Sequence, residues 1–343
     1  MTSVEMPTPD GGAAIRPDPG RAGRAGTGDG VVRRGPARAP APRWRTRLRR
    51  LDDRLSPYLY ISPFFLLFAV FGLFPLIYTL FVSLHHWELT GGPHPYRGLH
   101  NYRELWADPY FWNALRNTLS IWLLSTVPQL LLALFLAHLL NTRLRMRTFL
   151  RMGVLLPNIT SVVAVTIVFS QIFSRDFGIA NAFLGIFGVH PLDWRAGDLS
   201  SHIAIATMVT WRWTGYNALI YLAAMQAIPR DLYEAAAVDG ARTWRQFRSI
   251  TIPMLRPTII FTATVSTIGA MQLFAEPFIF GGGGTVTGGS DRQFQTLGLY
   301  LYEVAYRNFD FGYGAAVAWV MFVLIVLASL LSYGLTRMIS RTV

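Results

Sequence analysis

The sequence predicts an all-α membrane protein with six transmembrane helices, and three observations lead to that fold class. Hydrophobic residues make up 52% of the 343 positions and charged residues only 15%, a balance that soluble domains of this size rarely show. Six apolar stretches each reach the length of about twenty residues that a hydrocarbon core requires. The arginines cluster in alternate loops between these stretches, which indicates a single orientation in the membrane.

The first 55 residues are predicted to be a disordered, basic cytoplasmic tail, and residues 56–343 the membrane domain. Gly, Pro, Ala and Arg dominate the tail, which has almost no large apolar residue before Trp44. Such a segment cannot bury enough surface to offset its chain entropy. Its last arginines, from Arg43 to Arg54, are placed to contact anionic lipid headgroups. Because only Trp44 interleaves with them, nucleic-acid binding is the weaker interpretation.

The membrane domain contains the six apolar stretches in order. Pro63, Pro75 and Pro128 fall inside them, but neighbouring helices can satisfy the backbone groups that a proline frees. The predicted spans are Tyr58–Leu84, Asn117–Leu140, Gly153–Phe173, Ile203–Met225, Thr258–Phe280 and Tyr313–Leu335.

The positions of the arginines predict that both termini are cytoplasmic. All basic residues except histidine are arginine, because the chain has no lysine. With the N-terminus inside, the tail, the loops 141–152 and 226–257, and Arg337 and Arg341 lie in the cytoplasm, and far fewer arginines lie outside. This is the asymmetry that the positive-inside rule describes.

Two absences exclude classes of chemistry. Without cysteine there is no disulfide, thiolate nucleophile or cysteine-based metal site. A P-loop needs a lysine to reach the β and γ phosphates of ATP, and this chain has none. The histidines show no metal-ligand spacing. The chain is therefore predicted to bind no metal and not to be an enzyme.

A polar, basic segment between the fourth and fifth spans is predicted to form a short surface helix over 232–247. Asp231 and Glu234 lie at its start and Arg242, Arg245 and Arg248 towards its end, which matches both signs of the helix dipole. Gly240 offers a site for a sharp bend. Pro253 and Pro257 are expected to stop helical structure before the next span.

The spacing of this segment resembles the cytoplasmic coupling loop of ABC importer permeases. Glu234-Ala235-Ala236 is followed by Gly240, then by Ile250 and Pro253. Ile252 stands where the usual pattern has Leu, a mild departure. Further stretches, 99–118, 229–241, 272–284 and 296–313, resemble the first of two permease subunits in carbohydrate importers of the maltose, lactose and cellobiose type.

The resemblance implies a set of partners that this chain does not encode. They are a second permease subunit, a pair of cytoplasmic ABC ATPase subunits that bind ATP and Mg²⁺, and an extracellular solute-binding protein. It also places the chain in a bacterial plasma membrane and gives the loop 229–257 the role of contacting the ATPase. The residues implied for ATPase coupling are Glu234, Ala235, Ala236, Asp239, Gly240, Ile250 and Pro253.

Arg212 lies near the middle of the fourth span, where a charge costs roughly 2.5 to 3.5 kcal/mol on insertion scales unless it faces protein or water. A polar stripe at helical spacing lies on the opposite face of the same span. We favour the Arg212 face as the substrate path, since Trp213 and Tyr216 can stack on sugar rings, and the stripe as interhelix hydrogen bonding. Arg212 as a structural ion-pair partner is the open alternative. The stripe is Thr207, Thr210, Thr214, Asn217 and Tyr221.

The fifth span places five small or polar residues on one predicted helix face, which is either a packing surface or a wall of the path. We take its upper half as path. The face consists of Thr262, Ser266, Gly269, Gln272 and Glu276. The predicted path residues are therefore Arg212, Trp213, Tyr216, Ser266, Gly269 and Gln272.

The leading functional hypothesis is a permease that forms half of the transmembrane path for a di- or oligosaccharide. A permease for another polar solute, such as glycerol phosphate, is the alternative, because an arginine can hold a phosphate as readily as a hydroxyl. A secondary transporter needs a coupling carboxylate deep in a span, and Glu276 is the best candidate, near an external end. No pairing typical of a membrane-embedded enzyme is found.

Overall fold

The computed structural model describes residues 56, 58–88, 94–142 and 146–342, with the side chains of 147 and 335–342 outside that description. The predicted tail 1–55 also lies outside it. By their internal contacts the residues divide into Met1–Phe65 and Leu66–Val343, and the contacts reported below lie in the second unit. Its regular elements, within the described ranges, are helices.

The helices are numbered in chain order. A π-helical turn, Phe247–Thr251, and a short turn, Ile252–Met254, separate α9 from α10. The helices are α1 (Tyr58–Ser83), α2 (His100–Ala107), α3 (Pro109–Leu140), α4 (Arg147–Ile159), α5 (Val162–Ile172), α6 (Ile179–Ile186), α7 (Asp198–Gln226), α8 (Arg230–Val238), α9 (Thr243–Gln246), α10 (Arg256–Met271), α11 (Ala275–Phe280), α12 (Leu297–Tyr302) and α13 (Phe311–Thr342).

Among the described residues, three helices are long and apolar enough to cross a membrane, or up to five if each bent helix pair is one span. The three are α1, α3 and the part of α13 that covers Phe311–Gly334. These agree with the first, second and sixth predicted spans, although α3 begins eight residues earlier than predicted, after the N-cap Asp108. Asp108 accepts a hydrogen bond from the backbone N–H of Tyr110, which satisfies one free donor of the helix start.

The third and fifth predicted spans are not continuous helices, and both predictions are corrected. α4 and α5 meet at 90°, with Thr160 and Ser161 in extended conformations between them. α10 ends at Met271, and α11 begins only at Ala275. The predicted face from Thr262 to Glu276 therefore does not exist as one helix face. Apolar content identified two stretches long enough to span a membrane, but it cannot predict that the helix within each is interrupted.

The fourth predicted span corresponds to α7, a helix of 29 residues. It is long enough to cross a membrane but is not among the helices apolar enough to do so, since it carries Arg212 and the polar stripe. α7 packs along α3 and also touches α4 closely. A Cβ added at Gly215 would lie 1.7 Å from the carbonyl oxygen of Val154, so only glycine allows this approach.

The segment between α7 and α10 is helical, but not as one helix. The predicted helix over 232–247 is split at Gly240 into α8 and α9. Pro253 and Pro257 do not stop helical structure. Each lies in the first turn of a helical segment, where a missing N–H costs no hydrogen bond. Proline breaks a helix in its interior but is tolerated in its first turn, and the second case applies to both residues.

Candidate functional site

The first candidate site is the exposed segment formed by α8 and α9. α8 ends in a Schellman motif, in which Gly240 N–H donates to the Ala237 carbonyl at 3.0 Å and Ala241 N–H to the Ala236 carbonyl at 2.8 Å. Gly240 adopts a φ of +76°, which a side chain disfavours. A Cβ there would meet no atom within 4 Å, so the space beside this glycine is open.

Five of the seven residues predicted for coupling lie on this segment, and Ile250 and Pro253 lie in the turns that follow α9. Glu234, Ala235, Asp239 and Gly240 are exposed, whereas Ala236, Ile250 and Pro253 are partly buried. Apolar side chains that the sequence analysis did not single out stand beside them, with Val238 88% and Trp244 70% exposed. An exposed apolar patch rimmed by charge is typical of a protein contact surface.

The second candidate site is the middle of α7. Arg212 Nη1 donates to Glu276 Oε1 at 2.5 Å, and the two side chains are only 13% and 6% exposed. Arg212 therefore faces protein, as expected for a charge at this depth. Glu276 lies in the first turn of α11, where a carboxylate suits the helix dipole. The sequence offers an ion pair as one role for Arg212 but cannot identify Glu276 as its partner, because no spacing rule links residues of different helices.

Trp213 and Tyr216 form an exposed aromatic surface next to this ion pair. Their rings meet edge to face with centroids 5.9 Å apart, and the Arg212 guanidinium lies 5.9 Å from the Trp213 ring centroid. Both rings are more than one third exposed. The three α7 residues predicted for the path are thus adjacent, but Arg212 is turned inward and the two rings are turned outward.

Three of the five residues of the polar stripe of α7 make the predicted hydrogen bonds to neighbouring helices, whereas Thr207 and Thr214 donate to carbonyls of α7 itself. Thr210 donates to the Ser125 carbonyl of α3 at 3.2 Å, and the Tyr221 and Thr262 hydroxyls lie 2.7 Å apart. Asn217 Nδ2 donates to Ser266 Oγ at 3.2 Å. Such bonds remove the cost of polar groups inside an apolar bundle.

Ser266, predicted to line the path, belongs to this interhelical network. Gln129 of α3 also donates to its Oγ, at 3.1 Å. Gly269 and Gln272, at the end of α10, are exposed and have no such packing role. The structure therefore joins Ser266 to the α7 stripe and leaves Gly269 and Gln272 on the surface.

A third cluster, which the sequence analysis missed, lies where α3, α12 and α13 meet. The Tyr300 and Tyr313 hydroxyls, 2.9 Å apart, both donate to Asp108 Oδ2. Burial, followed by these hydrogen bonds, raises the pKa of Tyr300. Beside them Arg292 makes a bidentate pair with Glu303 at 2.7 and 2.9 Å. This network fixes the loop before α12 against α3.

The cluster borders a cleft of about 590 Å³ rich in carboxylates, including Glu88, Glu104 and Asp310. Among the described residues, no group of three or more His, Asp or Glu side chains is arranged to hold a metal ion. The charges of Arg292 and Glu303 are satisfied by each other, so we assign this cluster a structural role.

Comparison with known proteins identifies the family. Residues 119–343 match the family described as binding-protein-dependent transport system inner membrane component. The matched part covers α7, the α8–α9 segment, α10 and α13, and so contains both candidate sites. It covers well over half of the chain.

Several relatives are similar over nearly their whole length. The lactose transport system permease protein LacF of Rhizobium radiobacter is 38% identical over 297 residues, which cover 85% of this chain and 97% of that protein. The trehalose/maltose transport system permease protein MalF of Thermococcus litoralis is 34% identical, over 82% of this chain and 93% of that protein.

A solved structure shows the same fold. One chain of a bacterial alginate ABC transporter, in complex with an alginate pentasaccharide-bound periplasmic protein, matches with a TM-score of 0.69 at 21% identity, over 86% of this chain and 98% of that chain. The family match, the full-length relatives and the helical fold agree. This chain belongs to the inner membrane components of binding-protein-dependent transport systems, the ABC importer permeases.

Proposed function

We propose that this chain forms half of the transmembrane path of an ATP-driven importer for a neutral di- or oligosaccharide. The observation that carries the proposal is the exposed α8–α9 segment between two membrane helices, because a surface helix ending at an open glycine is what a partner's cleft can grip. The names of relatives, which include lactose, trehalose/maltose and arabinooligosaccharide systems, support a sugar as the cargo.

We also propose six spans with both termini in the cytoplasm. Five of these spans correspond to α1, α3, the α4–α5 pair, α10 and α13, and the sixth is α7, whose 29 residues correspond to about 44 Å. Its charge is neutralised by Glu276 and its stripe is hydrogen-bonded, so the cost that excludes it by hydropathy is largely removed. The arginine-rich loops then lie inside, as the positive-inside rule requires.

In this topology the coupling residues face the cytoplasm. ATP and Mg²⁺ are then bound by the separate ATPase pair, in keeping with a chain that has no lysine for a P-loop. The ATPase contacts Glu234, Asp239 and Gly240, and the exposed side chains of Val238 and Trp244 add apolar area to that contact. The other coupling residues, Ala235, Ala236, Ile250 and Pro253, shape the same segment.

The sugar path runs along the exposed α7 and α10 surfaces. Trp213 and Tyr216 offer rings for stacking on a sugar, and Gln272 offers an amide for its hydroxyls. Gly269 leaves room beside them. A second permease subunit closes this surface from the other side, and an extracellular binding protein delivers the sugar.

The ion pair favours a neutral cargo over a phosphorylated one. A phosphate would have to compete with Glu276 for Arg212, and that carboxylate is already bonded at 2.5 Å and buried. The same pairing argues against a secondary transporter, since Glu276, the best candidate for a coupling carboxylate, is already paired with Arg212.

The test is uptake by the complete importer in proteoliposomes, reconstituted with the ATPase, the second permease and the binding protein encoded nearby. We expect uptake of labelled di- or oligosaccharide that requires both ATP and the binding protein. Glycerol phosphate should not compete. Uptake of glycerol phosphate with no sugar uptake would overturn the assignment of a neutral cargo.

A further inference from the structure

Two hydroxyl groups tie α8 to the chain that leads into α10. The Tyr233 hydroxyl, on α8, lies 2.9 Å from the Thr251 hydroxyl. Thr251 is only 4% exposed and ends the π-helical turn Phe247–Thr251. Tyr233 precedes Glu234, and a step of about 100° around the helix turns it inward while Glu234 stays exposed.

The same π-helical turn also contacts α3. Phe247 is 7% exposed, and its ring centroid lies 4.5 Å from that of His138, in the last turn of α3. Gln246, just before it, donates to the Ala241 carbonyl at 3.0 Å and to the Tyr233 carbonyl at 3.4 Å. One short turn therefore contacts both α8 and a long membrane helix.

These contacts surround a hollow, although Phe247 also packs into the core cluster that contains Leu140 and Leu255. The hollow has a volume of about 180 Å³, and Tyr233, Phe247 and Thr251 line it together with His138 and Thr142. Atoms that face a void have no partner through which packing can resist displacement. Around the hollow, the position of α8 therefore depends on the few side chains that bridge it.

The backbone offers a weaker connection between α8 and Thr251. Between them lies Gly240, which has a left-handed conformation and no neighbour within 4 Å of its Cβ position. A displacement of α8 is transmitted poorly through a backbone that is broken at such a residue. Side-chain contacts between α8 and Thr251 bypass the break and transmit the displacement directly.

We propose that the Tyr233–Thr251 hydroxyl pair is a positioning contact that transmits displacement of α8 to α10, with Phe247 on His138 carrying it to α3. The inference rests on the proposed function, in which the ATPase moves α8. Tyr233 and Thr251 then act through the membrane helices and touch neither ATP nor sugar. Their loss weakens the coupling of hydrolysis to transport.

The test uses Tyr233→Phe, Thr251→Val and the double variant in the complete reconstituted importer. Each removes a hydroxyl with little change of shape. We expect each single variant to raise the ATP consumed per sugar imported by about fivefold, the effect of one hydrogen bond. The double variant should be no worse than either single one, because both remove the same contact. The amount of assembled complex should not change.

Thr142→Val is the matched control. Thr142 lines the same hollow, but its hydroxyl donates to the Leu139 carbonyl in its own stretch of chain and, among the described residues, to no other group. This variant should keep the normal ratio of ATP to sugar.

Three outcomes would overturn the proposal. They are an unchanged ratio in both single variants, additive losses in the double variant, and a loss of assembled complex at an unchanged ratio, which would make the pair merely structural. Failure of the proposed function is a different result. In that case the unmodified importer would show no sugar uptake dependent on ATP.

Discussion

Arg212 of α7 and Glu276 of α11 form an ion pair at 2.5 Å that is nearly closed to solvent. The pair joins the middle of α7 to a short helix that follows the end of α10. The Arg212 Nε is buried and has no hydrogen-bond partner, so Glu276 is the only carboxylate paired with this guanidinium among the described residues. The two charges depend on each other.

Glu276→Gln should therefore destabilise the protein strongly. Removing one partner leaves a buried, uncompensated arginine, which costs about 3–5 kcal/mol. We expect a lower melting temperature and less assembled complex in detergent. Glu104→Gln is the control, because Glu104 is exposed and lies 3.8 Å from His100, and it should change little.

The double variant Arg212→Met with Glu276→Met distinguishes the effect of an unpaired charge on stability from the effect of the changed side-chain shape. It removes both charges and should recover most of the lost stability. A Glu276→Gln protein as stable as the unmodified one would show that water or another group solvates Arg212.

Gly215→Ala should disrupt the contact between α7 and α4. The added Cβ would lie 1.7 Å from the Val154 carbonyl oxygen, so one helix must move. Overpacking of this kind typically costs about 1–3 kcal/mol. Gly153→Ala on α4 is the control, since its Cβ would meet nothing within 4 Å. It should be neutral or slightly stabilising in a thermal melt. Equal melting curves for the two variants would contradict the close approach.

Two substitutions at Gly240 should distinguish its role in the backbone turn from its role on the docking surface. Gly240→Val forces a branched side chain into a left-handed conformation and should cost about 1–2 kcal/mol. Gly240→Asn is tolerated there and should keep the stability of the permease. We expect both variants to lose uptake, because the side chain enters the open space that we propose as the ATPase contact. Full uptake by Gly240→Asn would show that glycine serves the turn alone.

Trp213→Ala should weaken uptake and change which sugars are carried, without lowering the amount of complex. The exposed ring lies beside Tyr216 and offers a stacking face. Thr214→Val is the control on the buried side, where the hydroxyl donates to the Thr210 carbonyl in the same helix. This variant should lower stability and leave selectivity unchanged. Competition between labelled sugars measures the selectivity. The reverse pattern would place the path on the other face of α7.

The sequence predicted what composition and periodicity encode. Apolar length indicated most of the membrane helices, and the 100° step per residue correctly assigned Thr210, Asn217 and Tyr221 of the α7 stripe to interhelix contacts. The spacing of Glu234 and Gly240 identified the family, because a surface segment for a partner is contiguous in the chain.

Other features depend on contacts between helices that are distant in the chain, and no local sequence pattern predicts such contacts. Arg212 and Glu276 lie 64 residues apart, and Asp108 reaches Tyr300 across 192. The prolines at 253 and 257 were misjudged because the same residue can end a helix or begin one, depending on what precedes it.

α3 has a mechanical consequence for the whole importer. Its 32 residues correspond to about 48 Å, well beyond the roughly 30 Å of a hydrocarbon core. One end begins at Asp108, in the tyrosine cluster, and the last turn places His138 against Phe247. One helix thus connects the tyrosine cluster with the His138–Phe247 contact, and Pro128 inside it is a position at which the helix can bend. A rigid tilt of α3 would move its two ends in opposite directions, and so would move the tyrosine cluster and the His138–Phe247 contact together.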